Sequence, residues 1–93
     1  MEMEVLICHA SPLDFSVIKK LIDEMWLDDR DLRSDQFLVA KYKEKVIGFG
    51  RLLYREDVCE ICSVGVVPEW RRKSIGTLIV KELIELSAAT EVF

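Results

Sequence analysis

A dense cationic cluster precedes an apolar stretch near the end of the chain. Arg71, Arg72 and Lys73 are followed by Ser74 and by the run IGTLIVKELIEL, whose apolar residues recur at helical spacing. Cations at a helix N-terminus are unfavourable by a few tenths to about 1 kcal/mol each, because the helix dipole is positive there. The same N-terminus presents backbone N–H groups that lack intrahelical partners. The cluster therefore predicts a polyanion site, and a solvated basic turn without a ligand is the alternative.

Three consecutive strands are predicted ahead of this cluster. QFLVAKY and KVIGFGRLLY are apolar, β-rich runs separated by KEK, and after the turn RED comes a third run, VCEICSVGVV. Strands joined by short turns form an antiparallel meander. Gly48, Gly50 and Gly65 interrupt the runs, and a glycine within a strand often marks a bulge or a close backbone approach.

One helix is predicted before the meander in the sequence and another after it. EVLICHA predicts a first strand, and the apolar spacing after the SPLD cap predicts a helix over residues 12–26. LDDRDLRSD is a loop or a short second helix, whose acids either line a pocket for a cationic substrate or form solvated surface. A last helix is predicted over residues 76–89, and TEVF begins another strand. The order β-α-(α)-β-β-β-α-(β) predicts an α+β fold, with helices packed on a mostly antiparallel sheet.

Composition narrows the class of protein. The chain has 93 residues, which is enough for one small domain, and its net charge of −4 argues against a nucleic-acid partner. The apolar runs are too short to cross a bilayer, and the acidic start MEME does not resemble a leader. The sequence therefore predicts a cytoplasmic protein with no membrane partner.

The cysteines and the histidine predict no metal site and no disulfide framework. Cys8, Cys59 and Cys62 are an odd number of cysteines, and His9 is the only histidine. Cys59 and Cys62 lie three apart on a predicted strand, so their side chains point to opposite faces. We expect all three to be small buried thiols, and the alternatives for the Cys59–Cys62 spacing are half a zinc site or a redox pair.

Two common phosphate-binding motifs are absent, and a third is present. Neither a Walker pattern nor G-x-G-x-x-G occurs. The stretch VVPEWRRKSIG, residues 66–76, resembles the acetyl-CoA-binding motif of the GCN5-related N-acetyltransferase (GNAT) superfamily. That motif is Arg/Gln-x-x-Gly-x-Gly/Ala, after a strand ending in Val-x-Pro-Glu and before an apolar helix. The resemblance covers nearly the whole chain, most specifically residues 58–86.

The resemblance implies a GNAT-like fold and a set of cofactor-binding residues. Backbone amides from Arg71 to Thr77 would cradle the pyrophosphate of acetyl-CoA, and the backbone of Val66 and Val67 would pair with its pantetheine arm. The Val66 amide would also polarise the thioester carbonyl, an effect worth about 3 kcal/mol per donor. The implied cofactor-binding residues are Val66, Val67, Arg71, Arg72, Lys73, Ser74, Ile75, Gly76 and Thr77.

The resemblance also implies a general base on the strand before the motif. Counting eleven residues back from Arg71 leads to Glu60. Flanked by Cys59 and Ile61, its carboxylate would be partly desolvated, and desolvation favours the protonated form. The alternative is that Glu60 lies on an exposed strand face.

The chain departs from the family pattern at two glycine positions and in its length. Ser74 replaces the first glycine of the motif, and Arg72 occupies a position where glycine is frequent. The strand and helix that follow the motif helix in the superfamily, and the tyrosine acid that the helix often supplies, are also missing. Tyr42 and Tyr54 lie on the wrong elements for that role. These departures predict a single partial domain over residues 1–93, a sheet completed by a second chain, or a degenerate acyltransferase, and an open strand edge favours a homodimer.

The predicted reaction is transfer of an acetyl group from acetyl-CoA to a primary amine of a small molecule, by direct attack and without a metal. The stretch SVGVVPEWR looks most like small-molecule members, including those resembling N-acetylglutamate synthase. Two alternatives remain: a catalytically inactive acyl-CoA-binding module, and a dimerising interaction domain that keeps only the fold.

Overall fold

The computed structural model describes residues 4–27, 29–55 and 58–90. Four antiparallel strands in the order β1-β2-β3-β4 carry two long helices, α1 and α2. This arrangement confirms the predicted α+β fold. The elements along the chain are β1 Leu6–His9, α1 Pro12–Glu24, a 3-10 helix Ser34–Gln36, β2 Phe37–Tyr42, β3 Lys45–Arg55, β4 Val58–Val66, a 3-10 helix Pro68–Trp70 and α2 Ile75–Thr90.

Several predicted boundaries change. The stretch LDDRDLRSD contributes only the start of a short 3-10 helix instead of a second α-helix. The strand predicted from TEVF is wrong at Thr90, which lies in α2, and its other residues fall outside the described ones. Most of the predicted RED turn also falls outside them. The β2–β3 turn at Lys43 and Glu44 has φ angles of 50° and 67°, the left-handed backbone of a primed hairpin turn.

The two helices cover opposite faces of the sheet. Alternate residues of β2 enter different clusters, because successive strand side chains point to opposite faces. On the α2 face, a Cβ at Gly50 would lie 2.6 Å from Cγ2 of Ile79 and 2.7 Å from Cδ1 of Leu83. Glycine therefore allows α2 to approach the sheet closely, as its position in the strand predicts. The buried residues are Leu38, Ala40, Ile47, Leu52, Ile75, Ile79 and Leu83 on the α2 face, and Ile18, Ile22, Phe37, Val39, Val46 and Phe49 on the α1 face.

Helix α1 ends before the predicted boundary. The N–H of Leu27 donates to the carbonyl of Ile22 at 3.0 Å, and that of Trp26 to Asp23 at 3.4 Å. This is a Schellman motif, in which the residue after the cap is left-handed and is usually glycine. Here that residue is Trp26, with φ 58° and 94% of its surface exposed. The predicted extension of the helix to residue 26 is therefore wrong, because apolar spacing does not reveal where a helix ends.

A capping box and an ion pair fix the start of α1. The Asp14 N–H donates to Ser11 Oγ at 3.2 Å, and the Ser11 N–H donates back to Asp14 Oδ2 at 2.9 Å. Lys41 Nζ on β2 lies 3.0 Å from the same carboxylate oxygen. Burial acts to raise the pKa of Asp14, but the hydrogen bonds from Ser11 and Lys41 outweigh it and hold the pKa below its usual value.

We expect Asp14→Asn to lower the free energy of unfolding by about 1–2 kcal/mol at pH 7. Because the pKa of Asp14 is lower in the folded state, the stabilisation is present above the unfolded value of about 3.9 and is lost as pH falls through the folded value. Urea unfolding at pH 7 and pH 3 should show the parent and the variant converging in acid. Asp35→Asn, at an exposed pair with Arg33, is the control. If the parent and Asp14→Asn differed in free energy of unfolding by the same amount at both pH values, the charge of Asp14 would not be the source of the stabilisation.

A buried arginine lies beneath the segment that joins α1 to β2. Arg51 is 0% exposed and lies over the Phe37 ring on the α1 face. Its Nε donates to Gln36 Oε1 at 2.9 Å, and its Nη2 donates to the carbonyls of Asp31, at 2.9 Å, and Arg30. Its Nη1 is buried without a hydrogen-bond partner, and no carboxylate of the described residues pairs with it. Among the described residues, the acceptors through which Arg51 ties the segment to the sheet are all neutral.

The three cysteines are free, as predicted, but they are not fully buried. Cys8 is exposed and the other two are half-buried, because they lie on the edge strands β1 and β4. Cys59 packs against the α2-side core, whereas Cys62 pairs in register with Arg51, whose side chain is on the α1 side. The pair therefore lies on opposite faces. Within the described ranges, no group of three metal-ligating side chains occurs and no helix is long and apolar enough to cross a membrane.

Candidate functional site

The connector from β4 to α2 forms a turn with an unusual backbone. After the 3-10 helix, Arg72 and Ser74 have φ angles of 66° and 64°, whereas Lys73 between them is not left-handed. Such alternation directs successive N–H groups into an anion-binding concavity. Arg72 and Ser74 stand at two positions where the motif described above has or favours glycine, whereas Gly76 matches the motif. The chain thus adopts a left-handed backbone at both positions without the residue that adopts it most easily.

The first turn of α2 presents unpaired donors to this concavity. The first backbone bond of the helix runs from the Leu78 N–H to the Ser74 carbonyl at 3.1 Å. The N–H groups of Ile75, Gly76 and Thr77 precede that bond, so they have no intrahelical acceptor. Together with the helix dipole, they form a site suited to phosphate.

A pocket opens at this turn. Its volume is ≈ 400 Å³. The predicted cofactor residues Val67 and Lys73 do not line it, and Trp70, which was not predicted, does. The lining residues are Val66, Trp70, Arg71, Arg72, Ser74, Ile75, Gly76 and Thr77.

The pocket continues into a larger apolar cleft between β4 and α2. The cleft has a volume of ≈ 840 Å³ and shares Gly76 and Thr77 with the pocket at the turn. Ile84, at its far end, is 53% exposed. Gly76, Val80 and Ile84 are spaced four residues apart, so all three lie along one stripe of the helix. The other lining residues are Val64, Lys81 and Glu85.

The backbone groups of the two valines that end the strand differ in availability. The Val67 N–H donates to the Ile47 carbonyl at 2.9 Å, and the Val67 carbonyl accepts from the Trp70 N–H at 2.9 Å. Val66 pairs with Gly48 in register, and the bond from Val67 makes this a non-hydrogen-bonded pair of the ladder. The Val66 N–H and carbonyl therefore point to the free edge of β4. Arg71 Nε donates to that carbonyl at 2.9 Å, so Val66 N–H is the free donor.

The cationic cluster is exposed and has no acidic partner among the described residues. Arg71, Arg72 and Lys73 are all exposed, and none of them forms an ion pair with a carboxylate in the described part of the chain. Their charge is added to that of the helix N-terminus instead of being cancelled by neighbouring acids. The local field therefore favours an anion at the turn.

Glu60 lies on β4 opposite Leu53 and is exposed. The predicted desolvation by Cys59 and Ile61 is wrong, because neighbouring residues of a strand point to the opposite face. Arg51 and Leu53, two residues apart on β3, share the α1 face, and Glu60 shares it with them. Its carboxylate therefore borders the α1 side of β4, away from the apolar cleft.

A sequence model of the acetyltransferase (GNAT) family matches residues 7–92. The chain belongs to this family. Its GNAT fold also agrees with solved structures. One is N-acetylglutamate synthase from Neisseria gonorrhoeae complexed with coenzyme A and N-acetyl-glutamate, with TM-score 0.83 and 16% identity over 99% of this chain. Another is Rv2747 from Mycobacterium tuberculosis in complex with CoA and NLQ, with TM-score 0.80 and 25% identity over 94% of this chain.

This GNAT chain spans only part of those proteins. It covers 24% of the Neisseria chain and 60% of the Mycobacterium chain. No curated protein matches it. The family and the fold are established over this part of the relatives' length.

Proposed function

We propose that this GNAT domain binds acetyl-CoA along β4 and at the turn of residues 71–77, and transfers the acetyl group to a primary amine of a small molecule. The observation that carries the proposal is the set of unpaired N–H groups at Ile75, Gly76 and Thr77, which open to a pocket flanked by unpaired cations. The diphosphate would accept from these groups, and Arg72 and Lys73 would add charge. The solved Neisseria and Mycobacterium structures both contain coenzyme A, which supports this choice of anion.

The free edge of β4 suits the rest of the cofactor. The pantetheine arm would lie in the apolar cleft, and the Val66 N–H would donate to the thioester carbonyl oxygen. Negative charge develops on that oxygen as the amine attacks, so the hydrogen bond is stronger in the transition state than in the ground state. Arg71 already donates a hydrogen bond to the Val66 carbonyl. The backbone of Val66 would therefore bind the cofactor through its N–H group.

The chemical step needs a neutral amine. The amine nitrogen attacks the carbonyl carbon, a C–N bond forms, and the C–S bond breaks to release the coenzyme A thiolate. A base must first remove one proton from the substrate ammonium. We assign this role to Glu60, acting directly or through a water molecule, since its exposed carboxylate borders β4 on the α1 side.

Glu60→Gln is expected to lower kcat by about 10²–10⁴-fold, because the amide cannot accept the proton. Coenzyme A affinity should stay unchanged, since Glu60 lines neither cavity between β4 and α2. Thiol release against an amine panel measures the first quantity, and calorimetry the second. Glu24→Gln, at an exposed position on α1, is the matched control. Equal turnover in the parent and both variants would remove Glu60 from the mechanism.

The two rival functions make different predictions. An inactive acyl-CoA-binding module would bind coenzyme A in calorimetry and release no thiol with any amine. An interaction domain would not bind it and would associate through β4, an edge strand of the described sheet. A second copy of the chain and acetyl-CoA would compete for the β4 edge. If the chain binds acetyl-CoA there, sedimentation experiments should show that the cofactor dissociates a dimer formed through β4. Persistence of this β4 dimer at saturating acetyl-CoA would favour the interaction domain.

A further inference from the structure

Strand β1 is an unprotected edge of the sheet. Among the described strands, β1 and β4 are the two edges, and acetyl-CoA is proposed to use β4. An edge strand is a template for pairing with another chain unless charged residues, a proline or a bulge protect it. The sequence of β1, LICH, contains no proline and no residue that is charged while its histidine is neutral. The β1 edge is therefore open to a protein partner.

The hydrogen-bond pattern shows which backbone groups of β1 are available. The Ala10 N–H donates to the Phe37 carbonyl at 3.1 Å, and His9 is in register with Leu38. His9 and Leu38 are therefore a non-hydrogen-bonded pair of the ladder, and the same alternation applies to Ile7, two residues earlier. The N–H and carbonyl groups of Ile7 and His9 thus point away from β2, toward the open edge.

Two cavities border the ends of β1 and differ in charge. One, of ≈ 370 Å³, includes Leu6 at the start of the strand, and the other, of ≈ 300 Å³, includes His9 at its end. Lys43 in the first and Glu82 in the second are exposed, and neither forms an ion pair with another described residue. Neither lysine nor arginine lines the second cavity, so its acidic charge is not compensated. The charged residues are Glu4, Lys41, Lys43 and Glu44 in the first cavity, and Glu82 and Glu85 in the second.

We propose that β1 pairs with β1 of a second copy of this chain, antiparallel about a two-fold axis, so that the two sheets become continuous. Ile7 then forms a hydrogen-bonded pair with His9 of the second copy, which within Leu6–His9 is the only register that uses both outward-facing residues. Cys8 lies directly opposite Cys8 of the second copy, with Cα atoms about 4.5 Å apart. Leu6, now 69% exposed, lies diagonally beside that pair and is covered by it.

The same axis brings opposite charges together. Antiparallel pairing places Leu6 of one copy beside Ala10 of the other, so the first cavity of each copy meets the second cavity of its partner. Lys43 Nζ lies 5.3 Å from the centre of the Tyr42 ring, which packs on the α2 side, where Glu82 also lies. Lys43 therefore approaches Glu82 of the second copy, and the symmetry repeats the contact. The β4 edge stays free for the cofactor, and the inference does not depend on the proposed function.

Disulfide trapping tests the register. In Cys59→Ser/Cys62→Ser, Cys8 is the remaining cysteine, and diamide, which takes up the two electrons of disulfide formation, should convert most of the chain to a covalent dimer. The control adds Leu6→Cys and Cys8→Ser to this background, which moves the exposed thiol along the same face of the same strand. Its Cα would lie about 14 Å from its symmetry mate, too far for a disulfide. Its initial rate should be at least 10-fold lower, and equal rates would overturn the proposal.

Sedimentation under reducing conditions tests the charge pairing. One short strand makes a small contact, so the dimer should be weak and reversible. Lys43→Glu should raise its Kd at least 5-fold, and adding Glu82→Lys should restore the parent value within 2-fold. Lys20→Glu makes the same charge change at an exposed position on α1 and should alter Kd less than 2-fold.

Saturating acetyl-CoA should leave the parent Kd unchanged, because the cofactor would use the opposite edge of the sheet. A parent that stays monomeric up to about 1 mM, a dimer that acetyl-CoA dissociates, or a charge reversal at Lys43 without effect would each overturn the proposal. If calorimetry detects no binding of coenzyme A, the proposed function fails, while trapping through Cys8 still decides whether β1 pairs with itself.

Discussion

Gly76→Glu is expected to abolish coenzyme A binding. Gly76 lines both the pocket at the turn and the apolar cleft, so a carboxylate there lies against the proposed diphosphate position. Two unit charges of like sign about 4 Å apart repel by about 4 kcal/mol near a protein surface, which corresponds to roughly 10³-fold in affinity. The fold itself should not suffer, because an acidic residue in the first turn of a helix interacts favourably with the helix dipole.

Two further variants separate charge from bulk. A Cβ at Gly76 would meet only Val66 Cγ2, at 3.7 Å, which is an ordinary contact, so Gly76→Ala should bind within a few-fold of the parent. Gly76→Gln has nearly the volume of the glutamate variant without its charge, and should retain part of the affinity. Calorimetry with coenzyme A measures all three, and circular dichroism checks the fold. If Gly76→Glu binds as tightly as Gly76→Ala, no phosphate occupies this turn.

Arg51→Met should cost the fold about 2–3 kcal/mol. The change removes the side-chain donor to the carbonyls of Arg30 and Asp31, and one of two donors to the Gln36 amide oxygen, which also accepts from the Arg33 N–H. A buried acceptor left without a donor costs about 1–3 kcal/mol, although water can reach part of this segment and the uncompensated charge is also removed. Because small domains are stable by only about 5–15 kcal/mol, this loss is large.

Urea unfolding measures the loss as a shift in midpoint. Arg33→Met makes the same chemical change at an exposed ion pair with Asp35, and should alter stability by less than about 0.5 kcal/mol. A stability loss no larger than that of Arg33→Met would show that Arg51 does not hold the 30–36 segment to the sheet.

The sequence predicted the fold and the position of the turn that carries the proposed phosphate site, because both depend on local patterns. Strand runs, the Pro68 break and the spacing of the last helix are visible in neighbouring residues. The contacts of Arg51 are not, since its partners lie 15 to 21 residues away in sequence. Only the folded sheet brings those groups together.

The candidate site was predicted in outline, and its details depended on backbone geometry. The left-handed conformations of Trp26, Arg72 and Ser74 occur at residue types that give no local signal for them. Val67 was predicted to contact the cofactor, but its backbone groups are engaged within the protein. Glu60 is exposed because its apolar neighbours in sequence, Cys59 and Ile61, point to the opposite face of the strand. Apolar neighbours in sequence therefore did not indicate burial of its carboxylate.

A crystal structure of this protein grown with coenzyme A would test the central proposal most directly. The account predicts diphosphate oxygens within about 3 Å of the N–H groups of Ile75, Gly76 and Thr77, with Arg72 or Lys73 beside them. It also predicts that the thiol end of the cofactor reaches the Val66 N–H. Coenzyme A bound away from this turn, or a turn closed by its own side chains in the presence of saturating cofactor, would contradict it.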